Sequence, residues 1–345
     1  MSISRTFVEQ FKDQTGGTIS ALRAIVDAQG FIDGESQHIV ADVFNISRAE
    51  VRGIVSFYSD LRTSQPADKV IRVCHGEACQ ASGCRELTSA LEDRLQVRMG
   101  ETSADNAVAL EHVFCLGHCA QGPTAEVDGQ LQTGIDPQNP DALIAGECRA
   151  GIEPQTRLEE QTRLIFSRYG KTDPLDIDAF RESGGFARLP APEAIVAEVK
   201  AAGLRGRGGA GFPAHIKWQT VADQPATPKY VVCNADEGDS GTFADRMIME
   251  GDPFLLIDGM LIAAHAVGAS RGYVYLRSEY PRAANVFSEA LRRARNAGIL
   301  GAGFDIELFI GAGAYICGEE TSLLESLEGK RGIVRSKPPL PAIEG

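Results

Sequence analysis

The sequence predicts an α/β protein built in parts. Three observations carry this prediction. Apolar residues recur at helical spacing over the first sixty residues, as Ile19, Leu22, Ile25 and Val26 and again as Val51, Ile54, Val55 and Tyr58. A short alternation of strands and helices follows, with two close cysteine pairs. A longer alternation then runs to the end, punctuated by glycine-rich and acidic loops. The predicted divisions are 1–65 for a helical bundle, 69–148 for the small cysteine-bearing α/β unit, 149–190 for a linker and lead-in, and 191–345 for the larger α/β domain.

The elements follow in order. Ser47 with Glu50 three residues later is a capping-box start for the helix over Val51–Tyr58. Pro66 and Asp68 mark a linker. A strand is expected over 70–74, a helix over 84–95, a strand near 109–114, and a strand–turn–strand across Asp128-Gly129. This puts the four paired cysteines in loops after strands. From Pro192 a helix runs to Ala202 and breaks at Gly203. Lys229–Cys233 reads as a strand. Asp252-Pro253 opens a helix to about Val267, with Asp at the cap and Pro in the first turn. Gly272–Leu276 is a strand, Pro281–Asn296 a helix, Phe304–Ile310 a strand and Glu319–Leu327 a helix. Such alternation implies right-handed crossovers and a mainly parallel sheet. The chain ends at Pro341–Gly345 with no closing element, which predicts that it is C-terminally incomplete.

Composition excludes several classes. With 47 acidic against 34 basic residues the net charge is −13, so no basic surplus is available for nucleic-acid phosphates. The longest apolar stretch, Phe254–Val267, is broken by Asp258 and is too short to cross a bilayer. The N-terminus lacks an apolar signal segment, and eight cysteines in such a chain read as ligands or buried thiols rather than disulfides. The expectation is a cytoplasmic protein without direct membrane insertion.

Cys74-x4-Cys79 and Cys115-x3-Cys119 can bring four thiolates together, which suits tetrahedral zinc or a 2Fe–2S cluster. Plant-type ferredoxin spacing would need a cysteine at Ser82 and is excluded. Cys84 is either a bystander at a helix start or a ligand by exchange. Cys148, Cys233 and Cys317 read as inert thiols. Gly206-x-Gly208-x-x-Gly211 has the form of a dinucleotide fingerprint but follows a helix, so a plain turn stays open beside a phosphate loop. Arg205 and Arg207 interleave with its glycines, Gly209 among them, and Phe212 and Lys217 add an aromatic and a cation. Asn234, Asp236, Glu237 and Asp239 follow one strand at the end where open α/β sheets bind ligands, or form a charged turn. The helix start at Gly318-Glu319-Glu320 offers N–H groups to an anion, or else the two acids serve the helix dipole.

Residues 74–119, with the helical stretch before them, resemble the thioredoxin-like 2Fe–2S ferredoxin family that includes the small NADH-side subunit of respiratory complex I. Gly30-Phe31-Ile32 and Val55-Ser56-Phe57-Tyr58 resemble that family's helical domain. GLRGRGGAGFPAHIKW (203–218), NADEGDSGTFADR (234–246) and GAGAYICGEETSLLESLEG (311–329) resemble the FMN- and NADH-binding subunit of complex I and related diaphorases. The resemblance implies a thioredoxin-like fold followed by a Rossmann-like FMN domain. It implies a cluster held by Cys74 and Cys79 on one iron, and by Cys115 and Cys119 on the other. It implies FMN at Gly206, Arg207, Gly208, Lys217, Asn234, Asp236, Tyr315, Gly318 and Glu319, and NAD(H) near Phe212, Asp239, Glu320 and Lys337. A 4Fe–4S centre would belong only to a missing C-terminal part. No residue would act as an acid or base in the hydride transfer.

The chain departs from complex I at Asp239-Ser240, where Glu-Pro is usual, and at Leu340, where relatives often carry an aromatic residue. The first departure resembles the diaphorase subunits of cytoplasmic NAD-dependent formate dehydrogenases. It implies a molybdenum- or tungsten-containing formate dehydrogenase alpha subunit as the large partner. The alternatives are a diaphorase subunit of an NAD-reducing hydrogenase or of complex I, and a non-catalytic 2Fe–2S electron-relay scaffold.

Overall fold

The computed structural model describes residues 3–148 and 164–345. The first part of the 149–190 lead-in expected from sequence, up to residue 163, therefore lies outside the described residues. Two compact units result. One holds the described residues up to Cys148 together with Glu237–Ala244 and Ala312–Tyr315, and the other holds Leu164–Asp236, Asp245–Gly311 and Ile316–Gly345.

The first unit begins with helices α1 (Arg5–Glu9), α2 (Gly17–Gln29), α3 (Gly34–Phe44) and α4 (Arg48–Val55). Their shared apolar face buries Ile19, Leu22, Ile25, Val40 and Val51. Ser47 and Glu50 form the reciprocal capping box at the start of α4. Strand β1 (Lys69–Cys74), helices α5 (Glu77–Gln80) and α6 (Cys84–Leu95), strands β2 (Val108–Val113), β3 (Ala125–Val127) and β4 (Gln130–Gln132), and helix α7 (Asp141–Ala145) follow. The sheet order is β2-β1-β3-β4, with β1 parallel to β2 and antiparallel to β3. Ile71, Val73, Leu87, Leu91, Leu110 and Ala125 form its core, with Cys74, Cys79 and Cys84 inside it. Arg62 grips Glu111 on β2 with both guanidinium nitrogens, and Arg72 on β1 bridges Glu111 and Glu126. These pairs join the segment after α4 to the sheet.

The second unit contains α8 (Ile177–Glu182), α9 (Pro192–Ala201), α10 (Ala214–Ala222), β5 (Tyr230–Ala235), α11 (Ala244–Gly251, its first residue belonging to the other unit), α12 (Pro253–Val267), β6 (Arg271–Leu276), α13 (Pro281–Asn296), β7 (Asp305–Ile310) and α14 (Glu320–Leu327). The three strands are parallel in the order β5-β6-β7, as the strand–helix alternation predicts. Phe254, Ile257, Val274, Leu276, Phe287, Leu291 and Ile306 are fully or almost fully buried between sheet and helices. Helix α8 lies in the stretch read as lead-in, and its Phe180 is buried in this same core. Helices α10 and α11 have no counterpart in the sequence reading. Asp252 does precede α12, but its side chain makes no cap. It is buried and ion-pairs with Arg168 at 3.3 Å instead.

Gly272 shows how closely β6 is packed. A Cβ placed there would lie 2.7 Å from Phe304 Cζ and 3.0 Å from Met260 Cε. Gly272→Val should destabilise the second unit by about 1–3 kcal/mol, the usual cost of overpacking a filled core. Denaturant unfolding followed in the tyrosine and tryptophan signals checks this, and an unchanged midpoint would contradict it.

Candidate cofactor sites

The cysteines stand where chain geometry brings strand ends together. Cys74 is the last residue of β1, and Cys115 follows the parallel neighbour β2 in register. Three of the four are not in plain loops as expected, Cys74 closing its strand. Cys79 lies in the one-turn helix α5, and Cys119 opens a 3₁₀ turn over Cys119–Gln121. Cys115 adopts a left-handed backbone, φ 59°, uncommon for a residue with a Cβ. Cys74, Cys79 and Cys115 are buried, and Cys119 is partly exposed.

The thiols associate two by two. Cys115 Sγ and Cys119 Sγ are 3.6 Å apart. The Cys79 thiol hydrogen-bonds Cys74, which draws the Cys74 thiol down to about 5 against the opposing effect of burial. Backbone N–H groups of Gly76, Leu116 and Cys115 assist. Cys79 is pushed up in return, and Cys119 is lowered to about 6, first by its bond to Cys115. Among the described residues, no group of three or more His, Cys, Asp or Glu side chains is placed to hold a single metal ion. Two close thiol pairs with backbone donors beside them, buried except at Cys119, fit a 2Fe–2S centre, which takes two thiolates per iron, better than a mononuclear zinc site. Cys84, at the first position of α6, is buried in the core and its thiol is raised by burial.

In the second unit the glycine loop lies between α9 and α10, so it is a helix–loop–helix connection and not the strand–loop–helix of a dinucleotide fingerprint. Gly206 N–H donates to Phe212 O and Ala214 N–H to Leu204 O, closing the loop on itself. Arg205 donates to Gly211 O and Arg207 to Arg205 O. A Cβ at Gly208, Gly209 or Gly211 would meet nothing within 4 Å, so this backbone faces open space. That is the condition for close approach by a phosphate. Lys217 Nζ lies 5.9 Å from the centre of the Phe212 ring.

Asn234 Nδ2 donates to Gly318 O at 2.8 Å, joining the end of β5 to the turn before α14. Gly318 allows this approach, since a Cβ there would stand 3.3 Å from Asp236 O and 3.6 Å from Asp236 Oδ2. Asp236 Oδ2 is buried and receives no hydrogen bond. Burial, with Glu279 adding and Arg277 opposing, pushes this carboxyl up to about 7. A buried acceptor without a donor, beside Asn234 and Gly318, fits a polar ligand such as a flavin. Glu319 does something else. It caps α14, accepting from Thr321 and Ser322 N–H, so of the two readings of this helix start the one in which an acid serves the helix is seen for Glu319, and those donors are occupied. Burial opposes its charge, but Lys337 and the capping bonds hold it down to about 2. Lys337 Nζ lies 2.7 Å from Glu319 and 2.8 Å from Glu320, and Lys217 Nζ lies 3.3 Å from Glu320.

Three further candidate residues, Glu237, Asp239 and Tyr315, fall in the first unit. Tyr315 donates its hydroxyl to Asp239 Oδ1 at 2.6 Å. Gly238 gives the Tyr315 ring its place, since a Cβ there would lie 2.5 Å from Cδ2. Glu237 is buried. Sequence reasoning missed Thr124, whose hydroxyl is 3.4 Å from Cys79 Sγ, and Arg277 and Glu279 near Asp236. It also gave Ser240 and Gly241 no role beside the cysteines. No local pattern marks any of these; only the fold brings them in.

Two outcomes are expected. Serine at Cys74, Cys79, Cys115 or Cys119 should reduce iron below two per chain, while Cys84→Ser should keep it, as read by iron and sulfide analysis. Asp236 has a folded pKa above its unfolded value of about 3.9. The contribution of Asp236 to the stability of the ligand-free second unit should therefore be fully present below about pH 4 and be lost as pH rises towards 7, by about 1.4 kcal/mol for each pH step over which only the folded state keeps this proton, while Glu319, held low, contributes in the opposite sense below about pH 4. Asp236→Asn should flatten that slope in denaturant titrations; parallel curves would count against it.

Residues 4–147 match the family model for thioredoxin-like 2Fe-2S ferredoxin, and residues 199–344 match that for the Nuo51 FMN-binding domain. The chain is 32% identical to NAD-reducing hydrogenase HoxS subunit alpha of Cupriavidus necator, over 99% of this chain and 60% of that one. It is 43% identical to the mitochondrial NADH-ubiquinone oxidoreductase 51 kDa subunit of Neurospora crassa, over 54% of this chain and 41% of the relative. A crystal structure of an NAD+-reducing NiFe-hydrogenase in the air-oxidized state superposes with a TM-score of 0.78 at 30% identity, covering 99% of this chain and 58% of that one. The chain thus spans roughly half the length of these relatives. It is a helical and thioredoxin-like 2Fe–2S domain followed by an FMN-binding Rossmann-like α/β domain, a fused arrangement related to subunits of complex I and of NAD-reducing hydrogenases.

Proposed function

We propose that this chain serves as the diaphorase part of a larger NAD-linked redox complex, an oxidoreductase that passes electrons between NAD(H), FMN and iron–sulfur centres. The observation that carries the reading is the joint presence of two close thiol pairs and of a carboxyl, Asp236, whose buried Oδ2 receives no hydrogen bond and which lies beside Asn234 and Gly318. When bound, FMN exchanges a hydride with nicotinamide and single electrons with iron–sulfur clusters. The chain's own residues bind and orient. Cys74, Cys79, Cys115 and Cys119 are the proposed cluster ligands. Gly206, Gly208, Gly209 and Gly211 present backbone to the flavin phosphate, with Arg207 and Lys217 as cations. Asn234 and Asp236 supply an amide and a carboxyl to the flavin. On the resemblance alone, and not on a shared geometry, Glu237, Asp239, Phe212, Glu320 and Lys337 are each proposed for the nicotinamide nucleotide, Asp239 being steadied by Tyr315.

The related hydrogenase and ubiquinone-oxidoreductase subunits favour a hydrogenase- or complex I-type catalytic partner over formate dehydrogenase. The formate reading rests on Asp239-Ser240 with the following Phe243–Met247, and on the net charge of −13, and ranks second. Among the described residues no helix is long and apolar enough to cross a membrane. The complete complex should reduce NAD+ with hydrogen or exchange electrons between NADH and a quinone. Formate-dependent NAD+ reduction without either activity would reverse the ranking.

Gly208→Val should fold normally, because its side chain enters empty space, yet bind FMN at least about tenfold more weakly, since a side chain there blocks close approach to the backbone. Flavin content of the purified variant measures this, and wild-type stoichiometry would make the loop a mere turn. Asp239→Ala should raise the KM for NADH several-fold in ferricyanide assays while flavin content holds. An unchanged KM would remove Asp239 from the nucleotide site.

A further inference from the structure

The turn Asp239-Ser240-Gly241 belongs to the first unit although it follows β5 in the chain. Gly241 N–H donates to Cys119 Sγ at 3.3 Å. Ser240 Oγ accepts from Ala78 N–H at 3.1 Å, one residue before Cys79. The fit is close, because a Cβ on Gly76 would stand 3.1 Å from Ser240 Oγ. Asp239 O lies 3.8 Å from Cys115 Sγ. One three-residue turn therefore touches both cysteine segments. We propose that this turn is part of the cluster's hydrogen-bond shell, with Ser240 as the positioning residue that holds the Gly241 N–H on the Cys119 sulfur and so raises the cluster's reduction potential.

The physical reasoning rests on the reading of the four cysteines as 2Fe–2S ligands. As a thiolate, Cys119 accepts the Gly241 N–H, and that bond strengthens when an added electron increases the charge on sulfur. Cys115 as a thiolate has no proton to share, so the Asp239 carbonyl opposes added charge. That carbonyl is the more distant of the two, and the N–H prevails. The glycine at 241 has φ 89°, a conformation that aims its N–H as observed and that a side chain would strain. Ser240 has no strain of its own; its hydroxyl fixes the turn through one neutral hydrogen bond.

The test uses the full chain with its cluster. Iron and sulfide are counted, and the midpoint potential and EPR g-values are measured in dithionite titrations. Ser240→Ala should keep two irons and two sulfides, lower the equilibrium constant for reduction about tenfold, which is about 59 mV for one electron, and shift the g-values. Ser240→Thr, which keeps the hydroxyl, should restore the wild-type potential. Unchanged potential and g-values in a cluster-retaining Ser240→Ala would overturn the inference. Should that variant lose its cluster, wild-type hydrogen exchange decides. The peptide over 238–244 should exchange more slowly in the reduced state than in the oxidised state, and equal rates would overturn the inference. A wild-type chain without iron would instead sink the underlying reading of the cysteines.

Discussion

A parallel sheet sends every strand out at the same edge, and much of the second unit follows from that constraint. The register aligns Ala235 of β5, Leu276 of β6 and Ile310 of β7 in one row. Asp236, Arg277 and Gly311 therefore leave the sheet side by side. Glu279 and Arg277 reach the Asp236 carboxyl because of this alignment, and the chain after β7 returns Gly318 to Asn234. Substituents far apart in sequence become neighbours without any local signal. The same rule acts in the first unit, where parallel β1 and β2 deliver Cys74 and Cys115 to one edge.

The charged groups of the second unit organise more than they stabilise. Lys217, Lys337, Glu319 and Glu320 are each partly exposed, and pairs of that kind contribute about 0–1 kcal/mol. Their effect is geometric: Lys337 bridges two successive carboxylates, and Glu319 spends its second oxygen on capping α14. A helix start whose donors are satisfied from within keeps its shape with or without a ligand. Asp236 is the opposite case, a carboxyl with one buried oxygen that receives no hydrogen bond.

Much of the fold was legible from sequence where one physical signal dominated. Helix α13 was read at its observed limits because Pro281 opens it and its apolar face repeats regularly through Leu291. The capping box at Ser47 was equally plain. Helix α10 was missed because none of its residues is buried, so it carries no apolar stripe to read. The Asp176 cap of α8 was a usable signal, hidden in a stretch read as linker. At the sites, residue types that carry their own chemistry, such as the four cysteines and the glycines of the loop, stood out. Ser240 and Gly241 did not, since Gly241 is 122 residues from the sulfur it meets. Glu319 illustrates a different limit: composition shows an acid at a helix start, and only coordinates show that its oxygen is turned onto its own helix.

The first unit is discontinuous in the chain, with Glu237–Ala244 and Ala312–Tyr315 inserted among segments of the second. Sequence modules and structural units therefore do not coincide. A gene cut between residues 148 and 164 would yield two polypeptides, neither containing the whole first unit. The upstream piece would carry all four paired cysteines but lack the strap that donates to Cys119 and the Gly313 carbonyl that receives the Ser59 hydroxyl. Evolutionary fusion or fission at that junction is then not a simple exchange of beads on a string. Any split descendant would have to regain these contacts by association between chains, turning an internal hydrogen-bond network into a subunit interface.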